Sequence, residues 1–316
     1  MEGVKSQLRG FKLERIEQFK ELLRPDDVVA VEATGNTRYF VESIADRPAA
    51  VKVLDPRKFK VISESAQKTD KNDARLIAYF LSKDMIPEIR LKSRNYCEVQ
   101  SLAHTRDKLV KLRTILKNKV NNILARDGIV VKKESLSSKV GLQRALDAPV
   151  HDGSKIELRI IVDQIRSLTA RIADLEREMC ERGSQLPGYE SITGIGATSR
   201  SVLLSIIGDI QTFKSPKQLA PYFGIVPRVH ESNGISKPGR ITKEGSSLGR
   251  SVLVLCTWVA IQHSPYLRAF YQRLKARKEA GRAIIATAKK LLSIIYDTLR
   301  QEWVFEDFKN FVIKAA

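Results

Sequence analysis

Three carboxylates in the first third of the chain have types and a spacing that suit a hard cation. Asp70 and Asp73 stand three residues apart in QKTDKNDARL, so a helix would place them on one face. Glu32 ends VVAVE, a β-branched run that predicts a buried strand. Because sites in α/β sheets gather at the carboxyl ends of strands, the three acids could converge there. They would then bind Mg²⁺, which polarises a phosphodiester.

The same two aspartates also fit a structural role. With Asp70 as the N-cap of a helix and Asp73 at its third position, both carboxylates would accept hydrogen bonds from free backbone N–H groups. They would also face the positive end of the helix dipole. Acidic triples are common in proteins, so the residues alone favour capping over metal binding.

A second group of chemically capable residues lies in PRVHESNGISKPGRITKEG, residues 227–245. The segment is rich in cations and hydroxyls, has no apolar pattern and is expected to be a flexible loop with an Asn-Gly turn. One interpretation is an ordinary surface turn. The other makes one hydroxyl a nucleophile, with Arg228, Arg240 and Lys243 stabilising the charge on phosphorus. The pattern does not select which serine would attack.

The net charge restricts the class of partner. A formal charge of +19 and a pI near 9.9 exceed what solubility requires, so a polyanion is the expected partner, and nucleic acid is the commonest one.

The cysteines and the apolar runs restrict the compartment. Cys97, Cys180 and Cys256 have no CxxC spacing, which argues against a zinc knuckle and a disulfide framework and favours a reducing cytoplasm. The longest apolar run, residues 252–261, is too short to span a bilayer, and we expect a buried helix there.

The elements that must position these residues differ along the chain. Strand-like VVAVE and VKVL flank a helical segment at residues 38–44, and another helix follows from Asp70, which is the alternation of an α/β sheet. In the middle, two apolar stripes with heptad spacing predict either an antiparallel helical hairpin or an intermolecular coiled coil. Their residues are Leu102, Thr105, Leu109, Leu112, Leu116, Val120 and Ile123, and then Leu158, Ile161, Ile165, Leu168, Ile172, Leu175 and Met179.

A Gly-x-Gly turn follows the stripes. Gly194 and Gly196 in SITGIGA are expected to join two helices, which leaves backbone N–H groups free at a helix start. Such groups can hold a DNA phosphate without reading the sequence, although an ordinary helical hairpin has the same turn. The charge excess favours nucleic-acid contact. The segment from residue 264 to 300 is again helical and basic.

Several of these segments, in this order, strongly resemble the transposases of the insertion sequence one-hundred-ten group. They are VVAVEATG, KTDKNDA, SITGIG, LLSIIGDI and SPKQLAPYFGIVPRVHESNGISKPGRITKEG. The resemblance covers nearly the whole chain. It implies an α/β RNase H-like (RuvC-like) DEDD domain at residues 1–92, a helical coiled-coil linker at 93–183 and a mainly α C-terminal transposase domain with a helix-hairpin-helix at 184–316.

The resemblance also implies an enzymatic role for particular residues. Glu32, Asp70 and Asp73 correspond to the second, third and fourth acids that bind magnesium. Ser232 corresponds to the serine that attacks DNA and forms a covalent phosphoserine link. Members act as homo-oligomers, dimers or tetramers, in which the acids of one subunit meet the serine of another. Some members use an element-encoded RNA as a guide, so RNA is a second implied partner besides DNA.

This sequence departs from the family pattern at its beginning. The chain opens on MEGVKSQL, with no apolar strand ending in the family's first Asp. We therefore expect an N-terminal truncation, an unpaired edge beside the strand at residues 28–31 and a weaker magnesium site, for which Glu2 is a poor substitute. Three hypotheses follow. They are an active transposase whose start is assigned too late, an inactive remnant that still binds nucleic acid, and a helix-hairpin-helix module without strand-transfer chemistry.

Overall fold

A computed structural model describes the protein at residues 7–56, 58–59, 69–185, 192–232, 235–301 and 305. Glu2 and the predicted Asn-Gly turn at residues 233–234 lie outside these ranges. The chain forms two compact units, Met1–Leu91 and Lys92–Ala316.

The first unit alternates helices and strands as the sequence predicts. Its elements are a 3₁₀ turn at Leu13–Arg15, α1 (Ile16–Lys20), β1 (Val28–Glu32), α2 (Thr37–Ile44), β2 (Ala50–Leu54) and α3 (Asp70–Ser82). The strands β1 and β2 are parallel, with Val28 opposite Ala50 and Glu32 opposite Leu54. Since a parallel pair needs a crossover, α2 connects the two strands. The α/β pattern is present, and the RNase H-like arrangement stays a prediction.

The core of this unit lies under β2. Leu54 is fully buried, and Phe59 packs beside it. The ring of Phe59 meets the ring of Phe80 on α3 edge to face, with centroids 5.1 Å apart. This contact fixes α3 against the sheet, and α3 also packs beside β1. In the part of the unit that the structure describes, β1 pairs with β2 alone.

The second unit is mostly helical in its described residues. The elements that follow the first unit are α4 (Arg94–Arg126), a 3₁₀ turn at Lys133–Ser137, α5 (Lys139–Leu146), α6 (Asp152–Ser184), α7 (Ala197–Ile207), a 3₁₀ turn at Ile210–Thr212, α8 (Pro216–Tyr222), β3 (Pro227–Ser232), β4 (Ile235–Ile241), α9 (Ser247–His263), α10 (Pro265–Lys275) and α11 (Ala280–Gln301).

The two long helices α4 and α6 form an antiparallel pair within one chain. Their contacts run in opposite directions along the two helices: Glu98 to Arg182 at 2.8 Å, Arg106 to Glu176 at 2.6 Å and Arg126 to Glu157 at 3.2 Å. Of the two alternatives for the apolar stripes, the helical hairpin is confirmed. A supercoiled contact with a second copy stays a prediction.

The stripes are buried unevenly. Val120 and Ile123 of α4 pack with Leu158 and Ile165 of α6 in one apolar cluster, which the segment containing α5 covers. Nearer the start of α4, Leu112 is 50% exposed. Two helices can bury only the faces that they turn toward each other, so part of the stripe is left at the surface.

The core of the second unit surrounds α7. Residues 201–207 of α7 are all buried, and α8, α9, α11 and the ends of the helix pair pack around them. Tyr96, Val99 and Met179 of the helix pair belong to this core. Burial of each such Leu or Ile side chain contributes roughly 1.5–3 kcal/mol to the stability of the fold. The boundary at residue 184 between the helical linker and the C-terminal transposase domain stays a prediction.

No helix in the described parts of the chain combines the length and apolarity that crossing a membrane requires.

Candidate functional site

The two aspartates lie in the first turn of α3. The helix begins at Asp70, and Thr69 is its N-cap, since the Thr69 hydroxyl accepts a hydrogen bond from the backbone N–H of Asn72 at 3.3 Å. The prediction that Asp70 caps the helix is therefore wrong. Thr69 has the extended backbone of a cap residue, which leaves Asp70 and Asp73 at the first and fourth helical positions, where they share a face.

Asp73 has an unusual environment for a carboxylate. Its Oδ1 atom is buried and has no hydrogen-bond partner among the described residues. A buried acceptor without a partner loses the hydration that it would have in water, at a cost of roughly 1–3 kcal/mol. A bound cation would remove that cost, because Mg²⁺ prefers oxygen ligands. Asp73 therefore fits a metal ligand.

Glu32 is held at the end of β1 by the turn that follows. The hydroxyl of Thr37 donates to the backbone oxygen of Glu32 at 2.9 Å and accepts from the Thr34 N–H at 2.7 Å. Thr37 is itself buried, so this turn is fixed from the inside.

The acids do not form a complete metal site in the structure. Across the described residues, no group of three His, Cys, Asp or Glu side chains could hold a metal ion. The structure therefore places Glu32 in β1 and the two aspartates in the helix beside it, without gathering them as the sequence predicted.

The segment that carries Ser232 is a β-hairpin and not the flexible loop that the sequence predicted. Strands β3 and β4 are antiparallel, Ser232 ends β3, and it pairs with Ile235. The signal for this structure was present, because Asn-Gly between two strand-forming segments is typical of a tight hairpin. The polar composition of both strands concealed it.

The root of the hairpin is fixed to the helical core. The backbone N–H of Lys243 donates to the Gly224 oxygen at 3.1 Å, and the Arg228 guanidinium donates to the Thr242 oxygen at 3.3 Å. Gly224 has a φ of +65°, and a Cβ there would lie 2.9 Å from the backbone nitrogen of Glu244. A side chain is excluded at this point, so the hairpin leaves the core in a defined direction.

All three predicted cations lie at the surface near this root. Arg240 and Lys243 are exposed, and Lys243 has a φ of +58°, which is uncommon for a residue with a side chain. Arg228 is also exposed, and it joins the two sides of the root through its contact with Thr242.

The Gly-x-Gly turn packs against α9. Gly194 has a φ of +93°, and a Cβ added there would lie 2.6 Å from the backbone nitrogen of Ala260. Gly196 is the exposed N-cap of α7 and provides no side-chain cap. Its hydrogen atom in place of a side chain leaves the first N–H groups of α7 accessible to a phosphate. Residues 186–191 lie outside the described residues, so the helix-hairpin-helix stays a prediction.

Sequence reasoning missed Lys92, a partly buried cation at the opposite end of α7. Its ammonium donates to the backbone oxygens of Ser205 at 2.9 Å and Ile206 at 2.5 Å, and to the Gln100 side chain at 3.0 Å. Burial lowers the pKa of Lys92 to about 8. No signal in the surrounding RLKSRN distinguishes this lysine from an exposed one.

Comparison with known proteins gives two family matches. Residues 189–272 match the model described as "Transposase IS116/IS110/IS902 family", and residues 12–127 match a model described as "Transposase", of the DEDD type of the IS110 group. The first match contains Ser232 and the Gly-x-Gly turn. The second contains Glu32, Asp70 and Asp73.

Individual relatives are similar over most of the chain. The "Probable family 20 transposase" of Pseudomonas aeruginosa is 28% identical over 93% of this chain and 90% of its own length. The "Transposase for insertion sequence element IS1111A" of Coxiella burnetii is 26% identical over 87% and 78%. The "Pilin gene-inverting protein" of Moraxella lacunata is 30% identical over 76% and 68%.

Proposed function

This chain belongs to the IS116/IS110/IS902 family of transposases, and we propose that it cleaves and exchanges DNA strands by joint action of its acidic residues and Ser232. The observation that carries this proposal is the buried, unpartnered Oδ1 atom of Asp73 in an otherwise capped helix start. The name of the pilin gene-inverting relative, which indicates rearrangement of DNA, supports recombination over simple binding.

Glu32, Asp70 and Asp73 would hold Mg²⁺ in this function. When bound, the cation supplies a Lewis acid that polarises the phosphodiester and offsets its developing charge. The chain offers only oxygen donors here, as a hard cation requires. Mg²⁺ sites often use one or two carboxylates together with substrate phosphates. We therefore propose that DNA completes the ligand set that the protein leaves incomplete.

Ser232 would be the nucleophile. Its hydroxyl oxygen forms a bond to phosphorus and gives up its proton, while the bond from phosphorus to one sugar oxygen breaks and that oxygen takes a proton. The product is a phosphoserine link that a hydroxyl of another DNA strand can attack in turn. Arg228, Arg240 and Lys243 supply positive charge near the hairpin root, where it would stabilise the pentavalent phosphorus.

The proposed partners are DNA, a guide RNA and further copies of the chain. A charge of +19 suits either nucleic acid. Leu112 and Ile115, which are 50% and 62% exposed one turn apart on α4, supply an apolar surface for a homo-oligomer. In such an oligomer the acids of one subunit would act with Ser232 of another.

Trapping of covalent adducts tests this function. The protein is incubated with Mg²⁺ and DNA from the flanks of its own gene, and covalent protein–DNA species are resolved under denaturing conditions. We expect adducts with the wild type and none with Ser232→Ala, because the attacking oxygen is lost. Ser236→Ala, in the same hairpin, is the matched control. Asp73→Asn should lower the adduct yield in the presence of Mg²⁺ to the yield that is seen without the metal.

Two results would count against the proposal. Adducts that survive Ser232→Ala unchanged would remove the serine from the chemistry. DNA binding by the wild type without any adduct would favour the alternative, a catalytically inactive protein that only binds nucleic acid.

A further inference from the structure

Helix α9 exposes a face with three large apolar side chains. Leu255, Trp258 and Val259 are 64%, 42% and 43% exposed, and their spacing of three and four places them together on one side of the helix. The Trp258 ring packs edge to face on Tyr271 of α10, with centroids 5.6 Å apart. Tyr271 is buried, so it holds the indole from beneath and leaves its outer side in water. We name Leu255, Trp258 and Val259 the α9 platform.

The segment of the chain that contains the α9 platform is strongly basic. Residues 247–301 contain ten Lys or Arg and two Asp or Glu, a net charge of +8 with His neutral. The basic residues are Arg250, Arg268, Arg273, Lys275, Arg277, Lys278, Arg282, Lys289, Lys290 and Arg300, and the acidic ones are Glu279 and Asp297. A segment with this excess of positive charge attracts a polyanion more readily than a second copy of itself.

Two of these cations lie next to the aromatic pair. Arg268 and Lys275 stand three residues before and four residues after Tyr271 on α10, so they share its side of the helix, and both are exposed. Arg268 is held in place, because its Nε atom donates to the backbone oxygen of Ile261 at 3.1 Å. The two cations beside the aromatic pair provide charge for phosphates, and the exposed indole provides a ring for stacking.

We propose that the α9 platform binds an unpaired stretch of nucleic acid, with a base stacked on Trp258 and the flanking phosphates beside Arg268 and Lys275. An indole can stack only on a base whose face is open, which excludes a base inside an intact duplex. This inference rests on the proposed function for the presence of nucleic acid and adds where its unpaired part is held.

The helix that carries the platform also supports the Gly-x-Gly turn. Ala260, against which Gly194 packs, is two residues beyond Trp258 in α9. Backbone donors at the start of α7 and the stacking ring are therefore supported by the same helix.

Fluorescence and binding measurements test the platform. The chain has two tryptophans, Trp258 and Trp303, so a Trp303→Phe protein reports on Trp258 alone. We expect a mixed-sequence single-stranded 20-mer, as DNA and as RNA, to quench its emission, and the matching duplex to leave the emission nearly unchanged. Trp258→Ala should weaken single-strand binding roughly 5- to 100-fold, the value of one lost stack, and duplex binding less than twofold.

Controls separate stacking from folding. Trp258→Phe keeps an aromatic ring over Tyr271 and should restore most of the affinity. Tyr39→Ala removes an aromatic ring that is 56% exposed in the other unit and should leave binding unchanged. Equal thermal midpoints for the Phe variant and the wild type would show that the fold is kept.

Three results would overturn the inference. The first is equal affinity of the wild type and Trp258→Ala for the single strand, and the second is unchanged Trp258 emission at saturation. The third is a lower oligomer mass of Trp258→Ala with nucleic-acid binding intact, which would assign the face to a second copy. Adduct formation distinguishes the two proposals. If the wild type forms adducts and Trp258 does not contribute to binding, the proposed function is kept. If binding depends on Trp258 and no adduct forms, the platform is kept.

Discussion

Asp73 and Lys92 are charged side chains that the fold removes in part from water, with different outcomes. The Lys92 ammonium meets two backbone oxygens at the end of α7, where the negative end of the helix dipole also favours a cation. The Asp73 carboxylate has one oxygen without a partner among the described residues. The first arrangement is complete within the protein, whereas we propose that a ligand from outside completes the second, which is why we propose a chemical role for Asp73 and a structural role for Lys92.

The depressed pKa of Lys92 predicts a specific pH dependence of stability. The folded protein releases the Lys92 proton near pH 8, whereas the unfolded chain keeps it until about pH 10.5. Between these values the unfolded state binds more protons, so the contribution of Lys92 to the free energy of unfolding rises with pH. Below pH 8 this contribution is lost. Urea unfolding at pH 7 to 10.5 of the wild type and Lys92→Met should give a difference that grows by about 1–3 kcal/mol across the window.

A control for this experiment is Lys71→Met, which removes an exposed lysine from α3 in the other unit. It should leave the pH profile parallel to that of the wild type. A flat difference between Lys92→Met and the wild type would show that Lys92 titrates at its ordinary pKa.

At the scale of elements, glycines decide how helices and the hairpin approach each other. Gly194 lets the turn before α7 contact the backbone of α9, and Gly224 lets the hairpin root close on the end of α8. Both have positive φ, and both meet backbone atoms that cannot move aside. The proposed phosphate contact and the position of Ser232 therefore depend on two residues without side chains.

Gly194→Ala is expected to destabilise the second unit by about 2–4 kcal/mol, since it adds the strain of a positive φ to a clash with Ala260. The matched control is Gly153→Ala in α6, where an added Cβ meets nothing within 4 Å. That change should stabilise the protein by about 0.5–1 kcal/mol, because alanine is the better helix former. Thermal or urea unfolding measures both. Equal midpoints for the two variants would contradict the described packing of the turn.

At the scale of the molecule, the exposed apolar surface that Leu112 of the α4 stripe forms with its neighbour Ile115 predicts self-association. Leu112→Glu combined with Ile115→Glu should lower the mass measured by light scattering toward that of one chain, because two carboxylates cannot be buried in an apolar contact. Thr114→Glu adds the same kind of charge at an exposed position of α4 that lies off this stripe, and should leave the mass unchanged. A mass unaffected by the double change would place the oligomer contact elsewhere.

The assignment of the acids and of Ser232 to different units has a consequence for the whole assembly. Each unit is compact by itself, and neither contains all the residues that the proposed reaction requires. Because we propose that the acids of one subunit act with Ser232 of another, we expect activity to depend on protein concentration in the range where the oligomer forms.

Much of the architecture follows from the sequence because it depends on local periodicity and composition. Alternating strand and helix signals predict the parallel β1–α2–β2 unit, heptad spacing predicts the α4–α6 pair, and the excess of Lys and Arg predicts a nucleic-acid partner. The order of the motifs identifies the family. These features depend on the order and type of residues along the chain, so one sequence is enough to predict them.

Other features were decided only by tertiary structure. Lys92 is partly buried because the end of α7, more than one hundred residues later in the chain, packs against it, and the burial of Asp73 Oδ1 without a hydrogen-bond partner is likewise a property of the folded chain. Val120 is buried where the segment containing α5 also covers the helix pair, whereas Leu112 of the same stripe is left exposed. Local spacing carries no record of these distant contacts, and it is the contacts that determine which charged or apolar groups are left for a ligand.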